Sequence, residues 1–194
     1  MNLKSFFILI CLTFSIGLSA NAQKVGIKSN LISDAVTSPN LGFEFRMSKR
    51  WTFDISGQLN AWNIHERRWR HWMAMPEFRV WTCESFQGSF FGIHLLGGQY
   101  NVGNIKNNIH FLGSDFSELT NNRFQGWAAG AGIGYGYDWM LAKHWNLEFE
   151  IGIGWIYTRY DKYPCVTCGT IDEKDGHHNY YGPTKFSLAI EYLF

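Results

Sequence analysis

The sequence predicts an all-β fold: an eight-stranded antiparallel up-and-down transmembrane β-barrel of the outer-membrane type, following a cleaved signal peptide. Three observations predict it. Apolar and polar residues alternate with the period of a strand along eight stretches. The connections between those stretches alternate long and short, as in barrels with short periplasmic turns and longer outer loops. Aromatic residues make up 18% and glycines number 20 of 194, yet no segment past residue 22 has the roughly eighteen unbroken apolar residues of a membrane helix.

Residues 1–22 read as the signal peptide. Lys4 supplies positive charge, Phe6 to Leu18 an apolar core that includes Cys11, and Ala20-Asn21-Ala22 an A-x-A cleavage site. Residues 23–194 then form one domain. The first strand, Lys24 to Leu31, sets Val25, Ile27, Ser29 and Leu31 against Lys24, Gly26, Lys28 and Asn30. After a loop around Asp34 to Pro39, the second sets Leu41, Phe43, Phe45 and Met47 against Gly42, Glu44 and Arg46. A tight Ser48-Lys49-Arg50 turn leads to the third, with Trp51, Phe53, Ile55 and Leu59 opposite Thr52, Asp54, Ser56 and Gln58.

A polar, basic loop is expected from Asn60 to His71, before a fourth strand from Trp72 to Thr82. This strand turns Trp72, Ala74, Phe78 and Val80 out and Glu77 and Arg79 in. Pro76 lacks a ladder donor, so a bulge is expected beside it. Strand five sets Phe91, Ile93 and Leu95 against Phe90, Gly92 and His94, and Asn101 to Asn122 reads as a long loop. Strand six alternates Trp127, Ala129, Ala131, Ile133, Tyr135, Tyr137 and Trp139 with inward glycines and Asp138. Strand seven turns Trp145, Leu147, Phe149, Ile151, Ile153, Trp155 and Tyr157 out, with Asn146, Glu148 and Glu150 in. A loop from Asp161 to Pro183 precedes the last strand, whose outward set is Phe186, Leu188, Ile190, Tyr192 and Phe194. An aromatic-ended closing strand of this kind resembles the assembly signal of outer-membrane barrels. A soluble ligand-binding barrel would need the two faces exchanged, since its aromatic face would otherwise meet water as one large patch.

Eight strands enclose a space that side chains fill. The inward charged set is Lys28, Glu44, Arg46, Asp54, Glu77, Arg79, His94, Asp138, Glu148, Glu150, Lys185 and Glu191. Buried charges need partners, so Arg46 and Arg79 are expected as hubs for Glu44, Glu77, Glu148 and Glu150. In the loops, Cys165 and Cys168 with His177 and His178 suit either a disulfide staple or a Zn²⁺ site. Arg67, Arg68 and Arg70, beside Trp62, Trp69 and Trp72, are candidate contacts for lipopolysaccharide phosphates. His110, Ser114, Asp115 and Glu118 contain the residue types of a rim catalytic site, but lie in one loop without evident rigid support.

Lys24-Val25-Gly26-Ile27-Lys28-Ser29-Asn30-Leu31, Pro39-Asn40-Leu41-Gly42, His71-Trp72 with Pro76-Glu77, Gly97-Gly98-Gln99-Tyr100-Asn101-Val102-Gly103 and Tyr181-Gly182-Pro183-Thr184-Lys185 together carry a resemblance. They resemble the family catalogued as domain of unknown function 3575, found in Gram-negative bacteria and often encoded near fimbria-type surface genes. The resemblance implies an outer-membrane barrel and a link to surface-fibre assembly. It supplies no catalytic residues.

The expected protein is therefore a non-enzymatic barrel of the cell outer membrane with a plugged polar interior and no cofactor. Its loops meet lipopolysaccharide or a surface or fimbrial protein partner. The alternatives are a lipid-modifying enzyme and a small gated pore. A net charge of +1 gives no field for nucleic acid.

Overall fold

The computed structural model describes residues 24–64, 67–105, 110, 111, 114, 115, 117–165, 167 and 169–194; for residues 64, 67, 110, 111, 114, 115, 117 and 118 only the backbone is described. The segment 1–22 expected to be a signal peptide lies outside them.

Period-two patterning sets the architecture. Eight long strands form, β1 (Val25–Asn30), β2 (Asn40–Arg46), β3 (Trp51–Asn60), β4 (Arg67–Trp81), β5 (Gly88–Gly103), β6 (Arg123–Ala142), β7 (Trp145–Tyr163) and β8 (Glu173–Leu193). Each pairs antiparallel with the next in sequence, and β8 pairs back onto β1 from Gly26↔Leu193 to Asn30↔Ala189. The sheet is thus an all-β, antiparallel, up-and-down ring without a free edge among these strands. No described helix is long and apolar enough to cross a membrane.

The two faces separate by polarity. Ile93, Ile133 and Ile153 are direct cross-strand neighbours on β5, β6 and β7, and are 65%, 61% and 56% exposed. Glu44, Glu77, Arg79, His94, Glu148, Glu150 and Glu191, on the opposite face, are buried. Toward the short-turn end the interior is corked by aromatic rings. Trp81 lies 4.7 Å from Phe90 and 6.2 Å from Phe86, centroid to centroid, and all three are buried. The β4–β5 turn folds Phe86 inward with φ +67°, and Asn146 Nδ2 donates to its carbonyl at 2.8 Å. Trp81 Nε1 donates to Thr52 Oγ1 at 2.9 Å, so the indole is satisfied where it is buried.

Several expected boundaries are corrected. The strands run further into the long connections: β4 begins at Arg67, β5 runs to Gly103, β7 to Tyr163, and β8 already begins at Glu173. Hydrophobic alternation fades there, but the backbone ladder continues through pairs such as Arg159↔His177 and Lys162↔Phe124. Aromatic and cationic contacts take over from apolar burial, including Phe124 against Tyr160 at 5.2 Å and the Arg123 guanidinium 3.8 Å over the Tyr163 ring. What remains of the third connection holds a two-residue pair, His110–Phe111 with Ser114–Asp115, and a 3₁₀ turn at Ser117–Thr120.

Leu31 leaves the first strand for a short helix, α1 (Leu31–Ala35), whose N-cap Asn30 accepts from Ile32 N at 3.1 Å. Register is unbroken at Pro76, which pairs with Ile55, so the expected bulge is absent there. Register shifts fall instead along β7, at Trp145/Asn146 against β6 and at Gly152/Ile153 and Tyr160/Lys162 against β8. Gly152 pairs with Lys185 and Ile153 with Pro183, leaving Thr184 as the extra residue.

Candidate functional site

Alternation places one layer of charge across the middle of the ring. Arg79, from β4, reaches Glu44 Oε2 of β2 at 2.5 Å, Glu148 Oε2 of β7 at 2.6 Å, Glu150 Oε2 at 2.7 Å and Glu77 Oε2 at 3.3 Å. Its guanidinium also stacks 4.4 Å from the Phe90 centroid, so the aromatic cork supports the ionic layer. Lys28 Nζ binds Glu44 at 2.6 Å, Asp54 at 2.8 Å and Glu148 at 3.1 Å. Lys185 Nζ binds Glu150 Oε2 at 2.8 Å and also Glu77 Oε2. Glu44, Glu77, Arg79, Glu148 and Glu150 therefore lie together. Arg46 is not among them: it is half-buried near the β2–β3 turn and donates from Nε to Ser48 O at 3.4 Å.

Lys28 and Lys185 fill the hub role given to Arg46 by residue type. The missed signal is height along the strand. Arg46 pairs with Thr52 near the turn, whereas Lys28 lies opposite Gly42 and Lys185 opposite Gly152, in the middle of the ring. Glycine opposite a long cation leaves room for its stem.

Beside the layer, Glu77, His94 and Glu150 form the one group of potential metal ligands that converges among the described residues. One ligand atom from each lies within 4.8 Å of the others, and all three residues are buried. Glu77 and His94 are direct cross-strand partners. His94 Nε2 shares a 2.8 Å hydrogen bond with Oγ1 of Thr184, the bulged residue. A cavity of about 300 Å³ is lined by Lys28, Asp54, Arg79, Glu148, Thr184 and Lys185, with Ser33, Asn30 and Asn40 also in its wall.

The remaining candidates are dispersed. Cys165 is disulfide-bonded, Cys83 is an exposed free thiol, and Cys168 lies outside the described residues. His177 and His178 lie within β8; the His177 ring faces Tyr157 at 6.5 Å, and His178 is half-buried. Arg68 is half-buried, Arg70 is exposed with Nε 3.0 Å from Asn63 Oδ1, and the Arg67 side chain lies outside the description. Arg70 shares a surface cleft of about 450 Å³ with Trp72, Gln99, Asn101, Gln125 and Trp127. The side chains of His110, Ser114, Asp115 and Glu118 lie outside the described residues.

The model of the family described as Protein of unknown function (DUF3575) matches residues 6–194. The chain belongs to this family. No curated protein matches this DUF3575 member, and no solved structure does.

Proposed function

We propose that this DUF3575 protein is a non-enzymatic β-barrel of the cell outer membrane. Its interior is plugged by an ionic layer, and its long-connection end is presented for contact with lipopolysaccharide or a surface protein. The observation that carries this reading is the inversion of polarity: isoleucine and aromatic side chains cover the outside while arginine, lysine and carboxylates are buried inside. In water such a surface would be a very large apolar patch; in hydrocarbon it is the favourable face.

Aromatic belts support the same reading. Trp51, Trp139 and Trp145 are exposed toward the short-turn end, and Trp72, Trp127 and Trp155 toward the other. The twelve steps from Trp127 to Trp139, at about 3.3 Å each and tilted near 40°, span roughly 30 Å, close to the thickness of a bilayer core. At the upper belt the Arg70 guanidinium and the amides of Gln99, Asn101 and Gln125 share a cleft with two indoles, a surface suited to phosphorylated glycolipid headgroups. The link to surface-fibre assembly rests on the family resemblance alone.

Membrane fractionation followed by electrophoresis with and without boiling tests this reading. An outer-membrane fraction with heat-modifiable migration is expected; a water-soluble folded protein would overturn it. The interior cavity gives a second reading, a small gated pore, since it descends to the Arg79–Glu148 layer. Planar-bilayer recording separates the two: a plugged barrel gives no resolvable channel.

A further inference from the structure

The ionic interior carries more negative groups than its cations balance. Among the described residues, seven buried carboxylates (Glu44, Asp54, Glu77, Asp138, Glu148, Glu150 and Glu191) face three cations, Lys28, Arg79 and Lys185, a formal excess of four negative charges. Excess buried charge is met by protons, by water or by recruited cations. Geometry selects where a cation would sit.

Lys185 and Arg79 occupy the Oε2 atoms of Glu77 and Glu150. The Oε1 atoms of both residues, and Nδ1 of His94, are buried and meet no donor or acceptor from any other described residue, while the Glu77 and Glu150 carboxyls lie within hydrogen-bond range of each other. The two Oε1 atoms lie over neighbouring glycines. A Cβ on Gly92 would fall onto Glu77 Oε1, and one on Gly134 would come within 2.6 Å of Glu150 Oε1. Gly92 and Gly134 are direct cross-strand partners, so both oxygens look into one side-chain-free recess. His94 stands two residues along the same face of β5 and is held from behind by Thr184 at 2.8 Å. A metal-bound imidazole is normally oriented by a hydrogen bond at its other ring nitrogen, and the Thr184 hydroxyl on the bulge supplies such a bond to His94.

From this arrangement we infer that Glu77, His94 and Glu150 bind a divalent transition cation of the zinc class inside the ring. Two carboxylate oxygens and one imidazole nitrogen suit Zn²⁺, Mn²⁺ or Fe²⁺ rather than the all-oxygen shells of Ca²⁺. Ligands about 2.1 Å from one ion lie roughly 3 to 4 Å apart, so the observed 4.8 Å spread closes by small side-chain rotations. Lys185 and Arg79 then act as outer partners on the Oε2 atoms. Thr184, which bonds His94, and Lys185, which bonds both glutamates, line the neighbouring cavity, and an ion would enter past these two side chains. The inference concerns the interior and goes beyond the proposed location of the protein.

The test is metal loading of the folded full chain. Protein stripped with a chelator, incubated with ZnCl₂ or MnCl₂ and dialysed, is expected to retain one equivalent by elemental analysis and to gain thermal stability. Variants His94→Asn and Glu150→Gln should bind more weakly by more than the roughly 10- to 100-fold that loss of an outer partner alone costs, and Gly134→Ala, which fills the recess without removing a ligand, should also lose affinity. The double variant His177→Ala/His178→Ala should bind as the parent does. Wild-type protein that retains no metal means that the two carboxylates share a proton instead, and overturns the inference. So does metal retained undiminished in a folded His94→Asn protein. Should one variant misfold, the wild-type stoichiometry and the glycine variant still decide.

Discussion

Arg79 and Glu148 meet across the middle of the ring, Nη1 to Oε2 at 2.6 Å and Nη2 to Oε1 at 3.1 Å, from strands β4 and β7 that share no backbone pairing. This two-pronged bond ties opposite walls together through side chains alone. Both groups are buried, so the pair is of the kind whose rupture leaves an uncompensated ion.

Replacing Arg79 by Ala therefore strands Glu44, Glu77, Glu148 and Glu150 around one lost cation. A loss of about 3–5 kcal/mol is expected, read as an earlier midpoint in urea titration. The double change Arg79→Met/Glu148→Met should recover part of that loss, because it removes both charges and fills the space. A double variant as unstable as Arg79→Ala would show that the charge itself is not what matters.

Glu191 presents the opposite case. It is fully buried, and neither carboxylate oxygen has a hydrogen-bond partner among the described residues. Glu191→Gln keeps the shape and removes one of the surplus negative groups. Stability should rise, read as a later urea midpoint, because one surplus buried negative group is gone while the side-chain shape is kept. A fall in the urea midpoint would mean that Glu191 serves as a ligand or a needed anion.

Ile133 is the most direct probe of the outer face. It is 61% exposed and flanked by Ile93 and Ile153. Ile133→Arg should cost roughly 2–4 kcal/mol when the protein folds into bilayers, as expected for a cation near the bilayer centre. If that face meets water, the same change is nearly neutral, and folding yields in vesicles measure the difference.

Gly136 is a packing prediction. A Cβ there would collide with the Phe90 ring, which sits between Trp81 and the Arg79 guanidinium. Gly136→Val should cost about 1–3 kcal/mol by overpacking, with a change in tryptophan emission from displaced Trp81. Gly97→Val, where a Cβ meets nothing within 4 Å, should leave that emission unchanged.

The thiols give a simpler readout. In folded protein Cys83 should react with a thiol reagent without reductant, and the peptide carrying Cys165 only after reduction. Labelling of Cys165 before reduction would show that its disulfide does not form in the protein as prepared.

Residue type and period two determined the eight-fold strand count, the antiparallel order and the inward identity of Glu44, Glu77, Arg79, His94, Glu148 and Glu150, because strand geometry alone sends alternate side chains to opposite faces. Strand ends were not legible, since the long connections keep their hydrogen-bond ladder after the apolar pattern has gone. Heights were decided only by tertiary structure. Register between strands distant in sequence sets Arg46 at the turn and Lys28 and Lys185 at the centre, and the bulge at Thr184 brings a β8 hydroxyl to the β5 histidine. Local pattern says which face a side chain takes; which neighbours it meets there depends on ring closure.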